Sequence, residues 1–208
     1  MNKLLNTLIA TALLTGAGQA YAASSVDLTV KGLITPSACT PALANGGTID
    51  YGKISAKDLK PDLPTALPYK ALQLTVTCDA PTLMAIESKD NREGTDYSNE
   101  PEYFGLGLIN GTEKLGRMSL MLMNPIMADG VAVRAISSED SGLTWYLDRF
   151  LTSYNILSVA DASTVAPMPV QVLSADMAVS AAIAPTSQLT LNNEVAIDGS
   201  VTLTVRYL

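Results

Sequence analysis

Polar and apolar positions alternate most strictly over residues 195–208. Val195, Ile197, Val201, Leu203, Val205 and Tyr207 take the odd positions, with Gly199 in the same register. Ala196, Asp198, Ser200, Thr202, Thr204 and Arg206 lie between them. Side chains on a strand alternate between its two faces, so this spacing gathers every large apolar group on one face. The β-branched and Thr-rich content suits a pleated, half-buried strand. A strand this apolar on one face needs an acceptor surface in its own domain, in a partner, or in both.

The same two-residue period recurs upstream. Val26, Leu28 and Val30 alternate with Asp27 and Thr29, and Gly32-Leu33-Ile34 carries the extended run to Thr35-Pro36-Ser37. Residues 48–52 read as a short strand after the turn signal Asn45-Gly46-Gly47. Leu72, Leu74, Val76 and Cys78 share one face of a strand over 71–78. Residues 82–87 resume after Asp79-Ala80-Pro81, which predicts a hairpin with Cys78 at its inner end. Residues 103–109, 117–123, 131–136 and 143–147 are further strands, and Asn110-Gly111 marks a hairpin turn between the first two. Residues 150–159 fit either a strand or a helical turn, and 170–183 fit two strand segments or one bulged strand. Pro61, Pro64 and Pro68 make residues 55–68 a loop, and residues 88–102 form a polar, charged one. Short strands, frequent turns and no sustained helical period predict an all-β fold, an antiparallel β-sandwich of one domain over 31–208.

Composition narrows what such a sandwich does. The 208 residues carry 13 Lys and Arg against 20 Asp and Glu, with no basic run. That excludes the cationic footprint of nucleic-acid binding. The chain has no His, which removes the commonest general base and metal ligand. Met1-Asn2-Lys3, the apolar run 4–14 and the small-x-small site Ala20-Tyr21-Ala22 read as a secretory signal peptide over residues 1–22. No second apolar stretch is long enough to span a bilayer, so no stable membrane insertion is expected. Export meets an oxidising compartment, and the two cysteines, Cys39 and Cys78, are expected to pair.

Taken in order, Val30-Lys31-Gly32-Leu33-Ile34-Thr35-Pro36-Ser37-Ala38-Cys39, then Gly46-Gly47-Thr48-Ile49-Asp50-Tyr51-Gly52, then the strand ending at Cys78, then the closing strand with Tyr207 resemble the subunits of chaperone–usher fimbriae of Gram-negative bacteria. The motifs that carry the resemblance lie in residues 23–78 and 195–208. Members carry a Gly fourteen positions from the end; here that position is Val195, and the nearest Gly is Gly199. The resemblance implies an incomplete immunoglobulin-like sandwich whose missing strand is supplied in trans. A periplasmic chaperone fills the gap first, an outer-membrane usher receives the subunit, and a neighbouring subunit's N-terminal extension then replaces the chaperone. In this chain the donor extension would be residues 23–30, with Val26, Leu28 and Val30 as its inserted side chains. The receiving strand would carry Val201, Leu203, Val205 and Tyr207, with Leu208 offering its carboxylate to the chaperone. The expected function is a structural or minor fimbrial subunit at the cell surface, contributing to adhesion.

Other chemistry is thinner. Ser55 and Lys57 sit in a Pro-flanked loop without an oxyanion site, so no enzyme, catalytic residue or cofactor is expected. Asp90, Glu93, Asp96, Glu100 and Glu102 lack EF-hand spacing and read as a solvated acidic loop, with no metal. Trp145-Tyr146 reads as packing before it reads as a sugar platform. Gly105 and Gly107 lack the strand–helix setting of a phosphate loop. The alternative function is a self-contained secreted β-sandwich that binds a ligand such as a glycan through loops 93–102 or Trp145.

Overall fold

The computed structural model describes residues 28–31 and 38–208. The expected signal peptide over 1–22, Val26, and the expected extended run over 32–34 lie outside the described residues. The chain divides into two units, residues 1–34 and 35–208. In the first, residues 28–31 have no regular secondary structure, and Leu28 and Val30 are 88% and 87% exposed.

The second unit is all-β. Its strands are β1 (Cys39–Leu43), β2 (Thr65–Ala66), β3 (Lys70–Thr82), β4 (Met84–Asp90), β5 (Phe104–Gly105), β6 (Leu108–Ile109), β7 (Glu113–Lys114) and β8 (Gly116–Leu122). They continue with β9 (Ile126–Ala128), β10 (Val131–Ser138), β11 (Tyr146–Leu147), β12 (Phe150–Leu151), β13 (Ile156–Ala160), β14 (Val170–Ile183) and β15 (Val201–Tyr207). Every pairing among the described residues is antiparallel. The main path runs β1-β3-β14-β9-β10-β13-β4-β15, with β2, β5, β8, β11 and β12 attached beside it, and β6 and β7 form a separate two-stranded sheet. β10 turns the corner: residues 131–133 pair with β9, and residues 134–138 pair with β13. The sheet therefore folds over on itself as a sandwich, and its two path ends, β1 and β15, are edge strands.

The core follows from alternation. Leu72, Leu74, Val76 and Cys78 of β3 are buried, as are Met118, Leu120 and Leu122 of β8. All but Leu72 meet Met84 and Ile86 of β4, Leu157 and Val159 of β13, and Leu173, Met177 and Val179 of β14 in one cluster. Each such aliphatic side chain contributes about 1.5–3 kcal/mol when fully buried. The Cys39–Cys78 disulfide is present, at a position where the two residues face each other across β1 and β3.

Several expectations are corrected. Residues 71–78 and 82–87 do not form a hairpin. β3 runs on through Thr82 and pairs with β1 and β14, whereas β4 pairs with β13 and β15 on the other side of the sandwich. Both strands are apolar enough to find partners in different layers, which local pattern does not reveal. Residues 48–52 are extended but belong to no ladder. Asp50 bends them by accepting a hydrogen bond from the Gly52 amide, at 2.7 Å, and Gly52 takes a φ of +67°. The closing strand is laddered only from Val201 onward. Residues 143–147 shrink to β11, and 150–159 divide into β12 and β13 with no helix. Residues 170–183 form one strand with an irregularity between Val170 and Val172. The Asn110-Gly111 turn is where the spacing places it, with φ of +51° and +85° in the β6–β7 hairpin.

Candidate functional site: a groove between the two edge strands

Among the described residues β1 pairs only with β3, and β15 only with β4, so among them each keeps one backbone edge unpaired. Between these edges and their flanking segments runs an apolar groove. One wall is built by Leu43, Gly47, Ile49, Tyr51, Ile54 and Leu59, the other by Leu191, Val195, Ile197, Gly199, Val201 and Leu203. Core side chains form its floor, among them Leu106, Leu115, Met118, Leu120, Val179 and Ile183. Two adjoining cavities of about 490 and 220 Å³ lie along it and share Ile49, Tyr51 and Ile197. The wall residues Leu43, Ile49, Tyr51, Val195, Val201, Leu203 and Val205 are half-buried and packed on the core. Their apolar faces are thus only partly covered, which costs free energy in proportion to the area left wet.

The walls are bridged at both ends. The Cys39 amide donates to the Tyr207 hydroxyl at 3.0 Å. At the far end Lys53 Nζ lies 3.5 Å from Glu194 Oε2, with both side chains exposed. An exposed ion pair of this kind is worth little and yields easily.

Backbone on either side of the groove lacks ladder partners among the described residues. Among the described residues, 191–197 make no backbone–backbone hydrogen bond, and neither do 49–54. The 191–200 wall is instead held at points. The Thr190 amide donates to Glu113 Oε2 at 2.6 Å, and Asn110 Nδ2 donates to the Thr190 carbonyl at 2.9 Å. The Asp198 amide donates to the Leu106 carbonyl, and Arg92 grips Asp198 with a fork of 2.9 and 2.8 Å. The Asn91 amide donates to the Ser200 carbonyl. These contacts fix the carboxyls electrostatically. The Thr190 amide, seconded by Asn110, holds Glu113 below the usual carboxylate range, and the Arg92 guanidinium does the same for Asp198. Gly199 has a steric reason: a Cβ there would meet Leu106 Cδ2 at 2.8 Å and Met118 Cε at 3.2 Å.

The structure places Val201, Leu203 and Val205 on the half-buried face and Thr202 and Thr204 on the exposed one. Tyr207 and Leu208 are more exposed, at 37% and 44%, with Tyr207 reaching across to β1. Sequence reasoning missed Leu43, Ile49, Tyr51, Leu106 and Met118. The odd-numbered run Gly47, Ile49, Tyr51 carries the same two-residue period as the far wall, and that was the available signal.

The other candidates are engaged in structure. Buried Asp90 accepts from the Arg92 and Gly105 amides, and buried Asp96 from Ser98 and the Glu100 amide. Glu100 pairs with Arg117 at 2.9 Å, and that guanidinium stacks 3.7 Å from the Tyr103 ring. No cluster of three acidic, His or Cys side chains poised for a metal occurs among the described residues. The Ser55 hydroxyl accepts from the Lys57 amide and caps a short turn. Trp145 donates to the Gly142 carbonyl, and the Tyr146 hydroxyl contacts Glu139. Burial first, and Glu139 second, push Tyr146 up to about 12. At Gly105 a Cβ would strike Thr95 Oγ1 at 2.0 Å, so close packing explains that glycine. No helix among the described residues is long and apolar enough to cross a membrane.

Residues 28–105 match a family described as "Protein of unknown function (DUF1120)". That span takes in β1, the 47–54 wall and β3 to β5, and leaves β15 outside. The chain is similar to Protein GltF of Escherichia coli (strain K12), 28% identical over 243 aligned positions that cover 96% of each chain. It is also similar to Uncharacterized protein YhcF of the same strain, 27% identical over 224 positions covering 91% of this chain and 93% of that one.

Proposed function

We propose that this chain is an exported structural or minor subunit of a chaperone–usher type surface fibre, contributing to adhesion and completed by a strand from another molecule. The observation that carries the reading is the apolar groove between two edges with unpaired backbone. Such a site takes an extended strand well. Backbone hydrogen bonds supply affinity, and side chains at every second position enter the cavities. Water is a poor permanent occupant, because an apolar trough beside open strand edges invites self-association. A periplasmic chaperone, an outer-membrane usher and neighbouring subunits are the partners this reading requires. The Cys39–Cys78 disulfide suits passage through an oxidising compartment. Val26, Leu28 and Val30 supply the alternation of a donor.

The test is periplasmic co-expression of the chain with candidate fimbrial chaperones. The expected result is a stoichiometric complex with one of them, and aggregation or degradation of the chain made alone. A monodisperse, heat-stable monomer, made without chaperone and lacking residues 23–30, would falsify the proposal.

A further inference from the structure

We propose that the outer face of the sheet along β14 carries a binding site for a soft monovalent cation, Cu(I), with the thioethers of Met121, Met123 and Met127 as its ligands. The site lies on the face of β14 opposite to Val179 and Ile183, which pave the groove, and does not rest on the strand-addition reading.

The observation is one of register. Met118, Met121, Met123 and Met127 are half of the chain's eight methionines. Met118, Leu120 and Leu122 are buried in the core, so alternation turns Met121 and Met123 to the outer face, where both are half-buried. After the turn at Asn124-Pro125 the chain returns to the same edge of β14. Half-buried Met127, between buried Ile126 and Ala128, again faces outward. Along that edge Met121 lies beside Ala178, the Met123 amide donates to the Asp176 carbonyl at 2.7 Å, and Met127 lies beside Ser174. The three methionines thus take three successive same-face levels of one edge, each step about 7 Å at the rise of a strand. A methionine side chain has three rotatable bonds, so the two outer thioethers can turn toward the middle one.

Packing does not account for this column. A methionine that fills a core is enclosed by apolar neighbours. Here the β14 neighbours are Ala178, Asp176 and Ser174, two short side chains and a carboxylate, and on the β10 side Met127 meets exposed Ala132. Of the ladder neighbours only Phe150, beside Met121, is aromatic, and it is itself 48% exposed. Exposed Asp176 sets a negative charge at the level of the middle thioether, which favours a cation. The nature of that cation follows from the sulfur. Thioethers are soft ligands and select Cu(I), whereas Mg and Ca go to oxygen. The chain has no His, and Cys39 and Cys78 are joined in the disulfide, so methionine is the soft ligand that remains. Met84, Met118 and Met177 are buried in the core, which leaves the outer column accessible.

The experiment uses the full chain, exported with its signal peptide and purified with its disulfide intact and with any chaperone that accompanies it. Cu(I), kept reduced by ascorbate, is titrated in competition with the chelator bicinchoninate. The parent is compared with a triple variant, Met121→Leu, Met123→Leu and Met127→Leu, and with Met168→Leu as control. Leu for Met conserves volume, so the variants should fold as the parent does, which melting curves check. The parent and Met168→Leu should each hold one equivalent of Cu(I), and the triple variant should hold none. Met123→Leu alone, which removes the middle ligand, should weaken binding about tenfold or more. In protein labelled at its methionine methyls, Cu(I) or the redox-inert Ag(I) should move the NMR signals of Met121, Met123 and Met127 and leave those of Met84 and Met177. These shifts decide the matter if the triple variant does not fold. Copper retained by a folded triple variant overturns the proposal. So does a parent that yields all its copper to the chelator, or one that binds copper while its three outer methyl signals stay in place.

Discussion

β14 and the closing stretch 194–207 are each fourteen residues long and largely alternating, yet they meet different fates. β14 has β3 and then β2 along one edge and β9 and β8 along the other. Its Leu173, Met177, Val179 and Ile183 are buried, and its backbone is paired on both sides. Among the described residues the closing stretch has one laddered neighbour, β4, and only from Val201 onward. Its apolar side chains reach half-burial, and Ile197 stays 36% exposed. The same sequence pattern thus serves a finished sheet in one place and an unfinished one in the other. The difference lies in the number of partners, a tertiary quantity. On the reading proposed above, an apolar strand held half-covered by point contacts at Thr190, Asp198 and Ser200 is where the added strand would lie.

If the comparison holds, damage to the finished side should cost stability, and damage to the unfinished side should cost binding. The largest stability effect is expected at Leu74, which is 1% exposed at the centre of the core. Leu74→Ala should lose about 2–5 kcal/mol by leaving a cavity that its packed neighbours cannot close. Urea unfolding of the chaperone-bound or strand-filled protein measures this. Whatever fraction stays folded should still capture a strand. A Leu74→Ala chain that is stable but binds nothing would show that groove and core are not separable.

On the other side, Leu203→Asp places a carboxylate in the wall of the smaller cavity. It should cost roughly 1–3 kcal/mol in the filled state, where the group is desolvated, and abolish strand capture. Thr202→Asp, one residue away on the exposed face, should stay within about 0.5 kcal/mol of the parent. Co-purification with a chaperone and melting of the filled domain report both. Equal damage at 202 and 203 would mean that the wall does not take its strand through the odd-numbered face.

How much of this was legible beforehand follows from the same contrast. Alternation located the strands of the core, because burial on one face is what alternation encodes. The Asn110-Gly111 turn and the cysteine pair were equally readable, since each carries its own local or redox chemistry. The β3–β4 hairpin was misread because both strands are apolar on both sides of Pro81, and pairing across layers leaves no local mark. Within the 47–54 wall, residues 48–52 were read as a short strand. Its alternation is real, but Asp50 and Gly52 bend it away from any ladder. Leu106 and Met118 were invisible as groove floor, since a buried residue beneath a cleft and one beneath a sheet look alike in sequence.

A smaller effect is expected at Tyr207. Tyr207→Phe leaves the Cys39 amide without its 3.0 Å acceptor and unties the two edges at the closed end of the groove. The loss should be roughly 0.5–1.5 kcal/mol in the unfilled domain. It should be smaller still once a strand lies between the edges and offers its own carbonyls. Comparing denaturant midpoints of parent and variant, with and without a filled groove, checks this. An equal loss in both states would place the Tyr207 bond outside the groove's working parts.

The smallest effect concerns acid, and it separates the wall from the core most finely. Glu113 is held below the usual carboxylate range by the Thr190 amide and Asn110, and Asp198 by Arg92. A carboxyl depressed in the folded state stabilises it fully above the unfolded value, about 4 for Asp or Glu. That contribution is lost as pH falls from there through the lowered folded value. Both groups anchor the 191–200 wall, and neither touches the β3–β14 core. Asp140, driven down to about 2 by Thr144 and Ser138, closes a different loop and should keep it closed to lower pH. Amide exchange around Thr190 and Asp198 should therefore quicken below about pH 4, after correction for the intrinsic rate, while β14 amides hold. Glu113→Gln, which no longer titrates, should flatten the response at Thr190 and leave that at Asp198 unchanged. If wall and core loosen together in the parent, acid acts on the fold as a whole, and the wall is no less stable a unit than the sheet beneath it.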